Sequence, residues 1–521
     1  MLLLVGVLFA CILQGHEPAP KLDADLLTGK GHAAVFVRMA DQLFPRGGEY
    51  EAFCAEQGEA PRSRVRARVL AMLQQKSEAS AAAVREVVEA LTEAGHLRNV
   101  RRFWIVNGFA GEADAVACER LAAHAAVAFV HRQRQPGRPQ QMVAPRAGPF
   151  RARGEKVLTA TFEGWRDDRD DPLALDGVTV PWNLHAIGAD AAWADGALGK
   201  GVVVALCDSG LEPAPALANA LWRNPKETKN GKDDDGDGRV DDLFGWDCDG
   251  DTPFVLGDPE QSHGSMCAGI VAGRTAGEPK HLTGVAPRAQ LMILRGMGRL
   301  AAYEYAAEHG ADVLSMSYMW VNVELGSYRG VYRTAHEHLA ACGVVAVGGA
   351  GNFQRTAPAG KQITLPKDIP CVIAAAGITP DGKQAPFSSE GPCTWSDVPF
   401  FDDYPASAPL HKPDVCAPAV GIPVWHWVEG RRPNEKVLFR GDDGFGLVVG
   451  PRGNSFAGPH AAGVAALVFG VSRELTAWRV QALLAATCKD LGAPGHDVAF
   501  GAGLLRADAA VAAARSAKVA D

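Results

Sequence analysis

Four short segments of this 521-residue chain carry polar side chains suited to hydrolytic chemistry. VVVALCDSG holds Asp208, SHGSMCAGIVAG holds His263, VVAVGGAGN holds Asn352 and GNSFAGPHAAGVAALV holds Ser455. Cleaving a peptide or an ester needs a nucleophilic oxygen, a base to take its proton, an acid to hold that base, and donors for the oxyanion. Serine, histidine, carboxylate and amide match those four roles. Each segment alone also reads as plain structure. Asp before Ser-Gly is a common turn, histidine at a helix start is a common surface residue, and serine before a helix is a common N-cap. On its own segment His460, in the first turns of the helix after Ser455, is a second candidate base.

The elements that must position these residues follow from hydrophobic patterning. From Gly201 onward, short apolar runs such as GVVVALCDSG, AQLMILRG, ADVLSMSYMW, GVVAVGGAGN and CVIAAAGI alternate with helical stretches. Near-continuous apolar strands separated by helices mean a mostly parallel sheet covered on both faces, a three-layer, doubly wound α/β fold. Active sites of such sheets gather outside the carboxyl ends of the strands. Asp208, Ser317 and Asn352 stand at such ends. Glycine and alanine after Ser455 keep the following helix slim, so that backbone approaches closely.

Ahead of this domain, residues 31–132 read as a small α+β module. Helices are expected over 63–75, 80–94 and 113–125, with strands at RRFWIVNGFAG and VAFVH. Residues 133–177, rich in Gln, Pro, Arg and Gly, read as an exposed linker or processing region.

Taken together and in this order, the four segments resemble the signature segments of the subtilisin-like serine peptidases, the subtilases. VPWNLHAIGADAAW, LTGVAPRAQLMILR and KPDVCAPAVGI are similar to further landmarks of that family, and the resemblance spans residues 178–513. It implies a secreted serine endopeptidase with Ser455 as nucleophile, His263 as general base and Asp208 holding the histidine. Asn352 and the Ser455 N–H would then form the oxyanion hole. His460 becomes a structural position. DVLSMSYMW resembles the strand that pairs with an extended substrate, which implies substrate contacts at Ser317, Tyr318 and Met319. The front module resembles the family's propeptide, an inhibitor and folding aid, in an arrangement similar to bacillopeptidase F-like members. The chain departs from the family at Asn454 and Phe456, which flank the serine, and at Met319, where glycine is usual. It also carries a long insertion, WHWVEGRRPNEKVLFRGDDGFG, expected to form a hairpin near the site.

Between the Asp and His segments lies NGKDDDGDGRVDDLFGWDCDGD. Asp233, Asp235 and Asp237 alternate as in the start of an EF-hand loop, and Asp241 follows, but Phe244 stands where the closing Glu belongs. The expectation is a structural calcium ion, against a solvated acidic loop. The apolar run over residues 1–20 reads as a signal peptide, or as a lipoprotein signal with Cys11 as the lipidated residue. Either implies a secreted, periplasmic or cell-surface location, with membrane attachment only through Cys11. A formal charge of -8 argues against nucleic acid as the main partner, leaving peptide or protein substrates and the front module. Eleven cysteines in so long a chain, several in apolar runs, read as buried hydrophobes rather than a disulfide framework. A catalytically silent, peptide-binding relative is the alternative reading.

Overall fold

The computed structural model describes residues 21–134, 178–212, 215–257, 262–274, 282–320, 323–441 and 444–520. Residues 1–20, with Cys11, and almost all of 133–177 lie outside that set. The front module is a four-stranded antiparallel sheet of β1 (Ala33–Met39), β2 (Leu97–Phe103), β3 (Gly108–Ala113) and β4 (Val127–Arg132), in the order β2-β3-β1-β4. Its helices are α1 (Glu49–Gln57), α2 (Arg62–Glu93) and α3 (Ala115–Ala123).

Two expectations are corrected here. The stretch read as two helices is one 32-residue helix, because Gln75–Ala79 contains no breaker and the buried stripe Val65, Val69, Leu73, Ser77, Ser80, Val84 runs through it unbroken. RRFWIVNGFAG is not one strand. A 3-10 turn over Trp104–Val106 and a left-handed Asn107 (φ 41°) fold it into the end of β2 and the start of β3. Asparagine tolerates that conformation better than most residues.

The large domain is built on a seven-stranded sheet in which every pair is parallel, ordered β11-β10-β9-β8-β5-β7-β6. The strands are β5 (Val203–Asp208), β6 (Gly245–Asp247), β7 (Gln290–Arg295), β8 (Val313–Met316), β9 (Val345–Gly349), β10 (Val372–Ile378) and β11 (Val415–Pro418). Their residues are almost wholly buried, as expected of a sheet covered on both faces. Its helices are α4 (Trp182–Ala186), α5 (Ala189–Ala194), α6 (Pro215–Ala218), α7 (His263–Ala272), α8 (Leu300–Glu308), α9 (Arg329–Ala341), α10 (Asn454–Val471), α11 (Ala477–Ala486) and α12 (Ala507–Ser516). The first strand, β5, lies between β8 and β7, so the strand order reverses there and opens a crevice at its carboxyl end. The insertion forms a three-stranded antiparallel sheet of β12 (Pro423–Trp427), β13 (Lys436–Arg440) and β14 (Phe445–Val449). It packs on α7: a Cβ at Gly269 would lie 2.6 Å from the Trp425 ring.

The front module is joined to the large domain by apolar surface and by buried polar contacts. Phe36, Val65, Val69 and Ile105 belong to the same apolar cluster as the sheet core, whereas Val35, Val37, Phe109 and Leu121 form the module's own core. Arg62 pairs with buried Asp312 at 2.7 Å. Both backbone groups of Ile105 are satisfied across the boundary: its N–H donates to Glu304, and its carbonyl accepts from His338 Nδ1 at 2.6 Å. Cys207, Cys342 and Cys371 are buried, and the described cysteines are free. Among the described residues no helix is long and apolar enough to cross a membrane.

Candidate active site

Asp208 is the last residue of β5 and His263 the first of α7, so the approach of helix to strand end decides whether they meet. Glycine makes the approach possible. A Cβ at Gly264 would lie 1.9 Å from the Gly210 carbonyl oxygen, and the Gly264 N–H donates to Ser209 Oγ at 3.2 Å. With α7 held there, His263 Nδ1 lies 2.8 Å from Asp208 Oδ1, which also accepts from the Ser209 N–H at 2.7 Å. Asp208 is 1% exposed. The carboxylate fixes the proton on Nδ1 and turns Nε2 outward as the acceptor. Among the described residues that Nε2 has no hydrogen-bond partner although it is buried. An imidazole held this way can, once neutral, take up a proton at Nε2. Burial disfavours the imidazolium, but the charge of Asp208, with Cys267 behind it, holds His263 protonated well above its ordinary value near 6.5.

Ser455 sits in the first turn of α10. Pro459, four residues on, has no N–H to return to the Ser455 carbonyl. That carbonyl instead accepts from Ser317 Oγ at 2.8 Å and Cys267 Sγ at 3.4 Å. The proline thus ties the serine to the end of β8 and to the histidine's helix at once. The small residues keep α10 close to the sheet: a Cβ at Gly458 would fall 2.7 Å from the Gly349 nitrogen, and one at Gly463 2.5 Å from Val285. No hydrogen bond joins Ser455 Oγ to His263 Nε2. Such catalytic bonds commonly tighten only when substrate binds.

Asn352 follows β9. Its Oδ1 accepts from the Asn454 N–H at 2.8 Å, so the side-chain amide is oriented with Nδ2 left to donate elsewhere. Asn454 itself is fully buried and donates to the Gly351 carbonyl at 2.7 Å and to Ser388 Oγ at 3.0 Å. The departure beside the serine therefore holds the loop that carries Asn352. Phe456 is buried against His263, with ring centroids 6.5 Å apart and planes at 27°. His460 is fully buried, bonded to the Phe456 carbonyl at 2.7 Å and Asn183 at 3.0 Å, and burial pushes it down to about 4. It staples α10 to α4 and stays neutral.

Of the three residues expected along the substrate strand, Ser317 touches Ser455 directly. The Tyr318 ring turns away, its hydroxyl 2.9 Å from that of Tyr303. Met319 lies half-buried beside Gly351. The expected quartet Asp233, Asp235, Asp237 and Asp241 does not converge on one point. Asp233 and Asp235 come together with Glu227, while Asp235 and Asp237 meet His309. Asp237 also pairs with Arg239 at 2.6 Å, and Asp241 accepts the Asn230 and Gly231 N–H groups. Glu227 and Cys267 escape a reading by motif. Cys267 had a usable signal, since four residues along a helix returns to the same face as His263.

The Subtilase family profile matches residues 199–503. Over 449 residues the chain is 24% identical to bacillopeptidase F of Bacillus subtilis (strain 168), covering 82% of this chain but only 27% of that protein. It is 26% identical over 347 residues to subtilisin DY of Bacillus licheniformis, covering 64% of this chain and 98% of that one. A crystal structure of MycP1 with the N-terminal propeptide removed aligns with 64% of this chain and 97% of its own at 22% identity and a TM-score of 0.44. The profile takes in more than half of the chain, from the strand that ends in Asp208 to beyond the helix that carries Ser455, and the chain therefore belongs to the subtilase family.

Proposed function

We propose that this chain is a secreted serine endopeptidase made as a self-processing zymogen. The observation that carries the reading is the buried, unpartnered Nε2 of His263, backed at 2.8 Å by Asp208 and set at the same strand ends as Ser455. In the reaction Ser455 Oγ attacks the scissile carbonyl while Nε2 takes its proton. Asp208 stabilises the imidazolium, and Asn352 Nδ2 with the Ser455 N–H receives the oxyanion. The imidazolium then protonates the leaving amine, and water repeats the sequence on the acyl-enzyme. The front module's contacts on α8 and α9 support its role as an attached inhibitor, with processing between it and the large domain.

A calcium ion fits the acidic loop in part. Carboxylate oxygens of Glu227, Asp233 and Asp235 lie within 4.8 Å of one another, an all-oxygen set suited to a hard cation. Those residues would hold the ion, whose part would be to neutralise the loop.

A fluorophosphonate probe tests the reading. The wild-type chain is expected to label at Ser455, and Ser455→Ala to remain unlabelled. No labelling of wild-type protein under processing conditions would turn the assignment to a silent peptide-binding protein.

A further inference from the structure

We propose that Ser262 is a positioning residue: by accepting the Trp427 N–H it couples the inserted sheet to the start of α7 and holds the His263 imidazole between Asp208 and Ser455. The proposal rests on the hydrolytic reading above.

Ser262 stands at the N-cap of α7, directly before His263. A serine there ordinarily accepts the backbone N–H of the second or third helical residue. This one makes no capping bond. The N–H of the second helical residue, Gly264, goes instead to Ser209 Oγ at 3.2 Å, next to Asp208. That exchange leaves the Ser262 hydroxyl to another donor. It accepts the Trp427 N–H at 3.2 Å, in a residue only 3% exposed. The neighbours of His263 on either side are thus tied to different elements, Gly264 to the loop after β5 and Ser262 to the last residue of β12.

The insertion holds its end of that bond firmly. The Trp427 ring covers Gly444, where a Cβ would fall 2.5 Å from it, and meets Phe445 edge-on with centroids 5.4 Å apart. Earlier in the same strand Trp425 rests on Gly269. Its Nε1 donates to Thr283 Oγ1 at 3.0 Å, and that hydroxyl donates to the Gly269 carbonyl at 2.9 Å. Ser262 and Gly269 lie about two helical turns apart, so both contacts fall on one face of α7. The loop after β5 adds a further grip, as the Glu212 N–H donates to Ser265 Oγ at 2.9 Å. Pinned by loop and insertion together, the start of α7 is kept from turning about its axis. Turning would swing His263 Nδ1 off Asp208 Oδ1, 2.8 Å away. Misplacing a catalytic group by about 1 Å can cost about 100-fold in rate.

Diisopropyl fluorophosphate reads the result without a peptide substrate, since its reaction with Ser455 needs the same base. Full-length protein is treated under processing conditions, and the labelling rate constant is compared among variants. Ser262→Ala is expected to lower it at least about tenfold. Its Tm should change little, because Ser209 supplies the cap. Ser262→Thr, which keeps the acceptor, is expected to keep the wild-type rate. Trp427 has φ -64°, which proline adopts, so Trp427→Pro removes the donor at an unchanged backbone angle. It is expected to label at least about tenfold more slowly than Trp427→Ala, which keeps the N–H. Adding Ser262→Ala to Trp427→Pro should cost nothing further, since both remove one bond. Should Ser262→Ala not fold, the comparison at Trp427 decides. Absence of labelling in wild type overturns the hydrolytic reading. With wild type labelled, a rate kept in Ser262→Ala, lost as fully in Ser262→Thr, or equal in the two Trp427 variants overturns the positioning role alone.

Discussion

Two regions of this molecule gather carboxylates and histidine, and they treat their polar atoms in opposite ways. At the ends of β5 and α7, Asp208 is buried and His263 half-buried, and among the described residues one buried atom of each, Oδ2 and Nε2, has no hydrogen-bond partner. In the acidic loop over 227–242 the carboxylates satisfy their own turns. Asp233 accepts the Gly236 and Gly238 N–H groups, Glu227 those of Asp234, Asp235 and Asp241, and Asp237 is neutralised by Arg239. An unmet hydrogen bond in a buried site costs free energy and persists only where the surrounding structure enforces it. The first region leaves a carboxylate oxygen and an imidazole nitrogen unmet. The second spends its lone pairs on holding a loop.

The largest effect expected from breaking that contrast lies at Asp208. Asp208→Asn should lower kcat by about 10⁴-fold, the size of loss known for the same position type in subtilisin itself. The pH profile sharpens it. His263 must be neutral to act, so wild-type kcat/KM should climb with pH and level off only above the raised value, well above 6.5. Removing the Asp208 charge leaves burial dominant, and the midpoint should fall. Stability runs the other way. The ion pair's contribution is fully present below the unfolded histidine's value near 6.5 and is lost as pH rises through the folded one. A midpoint that stays unchanged in Asp208→Asn would contradict the assigned electrostatics.

Asn352→Ala comes next. On the proposed reading its Nδ2 meets charge only in the transition state, so kcat should fall about 10²–10³-fold with KM nearly unchanged, the range reported for the matching donor of subtilisin. A rise in KM of that size instead would make Asn352 a ground-state contact. The smallest effect belongs to the acidic loop. If calcium joins Glu227, Asp233 and Asp235, a chelator should lower Tm by roughly 2–4 °C for each kcal/mol of binding energy removed, and Glu227→Gln should abolish the chelator's effect. Equal melting with and without chelator would mean that backbone N–H groups alone satisfy the loop.

Much of the frame was legible in the residues. β5, β7, β9 and β10 lie where near-continuous apolar runs stand, because a strand buried on both faces tolerates little else. The break expected within 62–93 was illusory, since the polar residues there, Ser77 and Ser80, are small enough to lie on the buried face. Ser80 even accepts from Asn107 at 3.0 Å. Glu227 was invisible to a spacing argument because it joins Asp233 and Asp235 only once the loop folds back. Asn454 stands out in the sequence only as a departure from the family pattern, and its clamp on the loop before Asn352 depends on partners up to about a hundred residues distant.

The sequence by itself determined the chemical inventory and the chain order of Asp208, His263, Asn352 and Ser455, together with the glycines and the proline that let their elements approach. Those are local properties of residue type, carried wherever the chain goes. Only the tertiary structure decided which histidine meets a buried carboxylate with a nitrogen left over. His263 and His460 are equally plausible as residues, yet one faces a buried carboxylate and keeps a free nitrogen, while the other spends both nitrogens on Phe456 and Asn183. Burial and partnership arise from long-range packing, and a side chain's proton follows from those rather than from its neighbours in sequence.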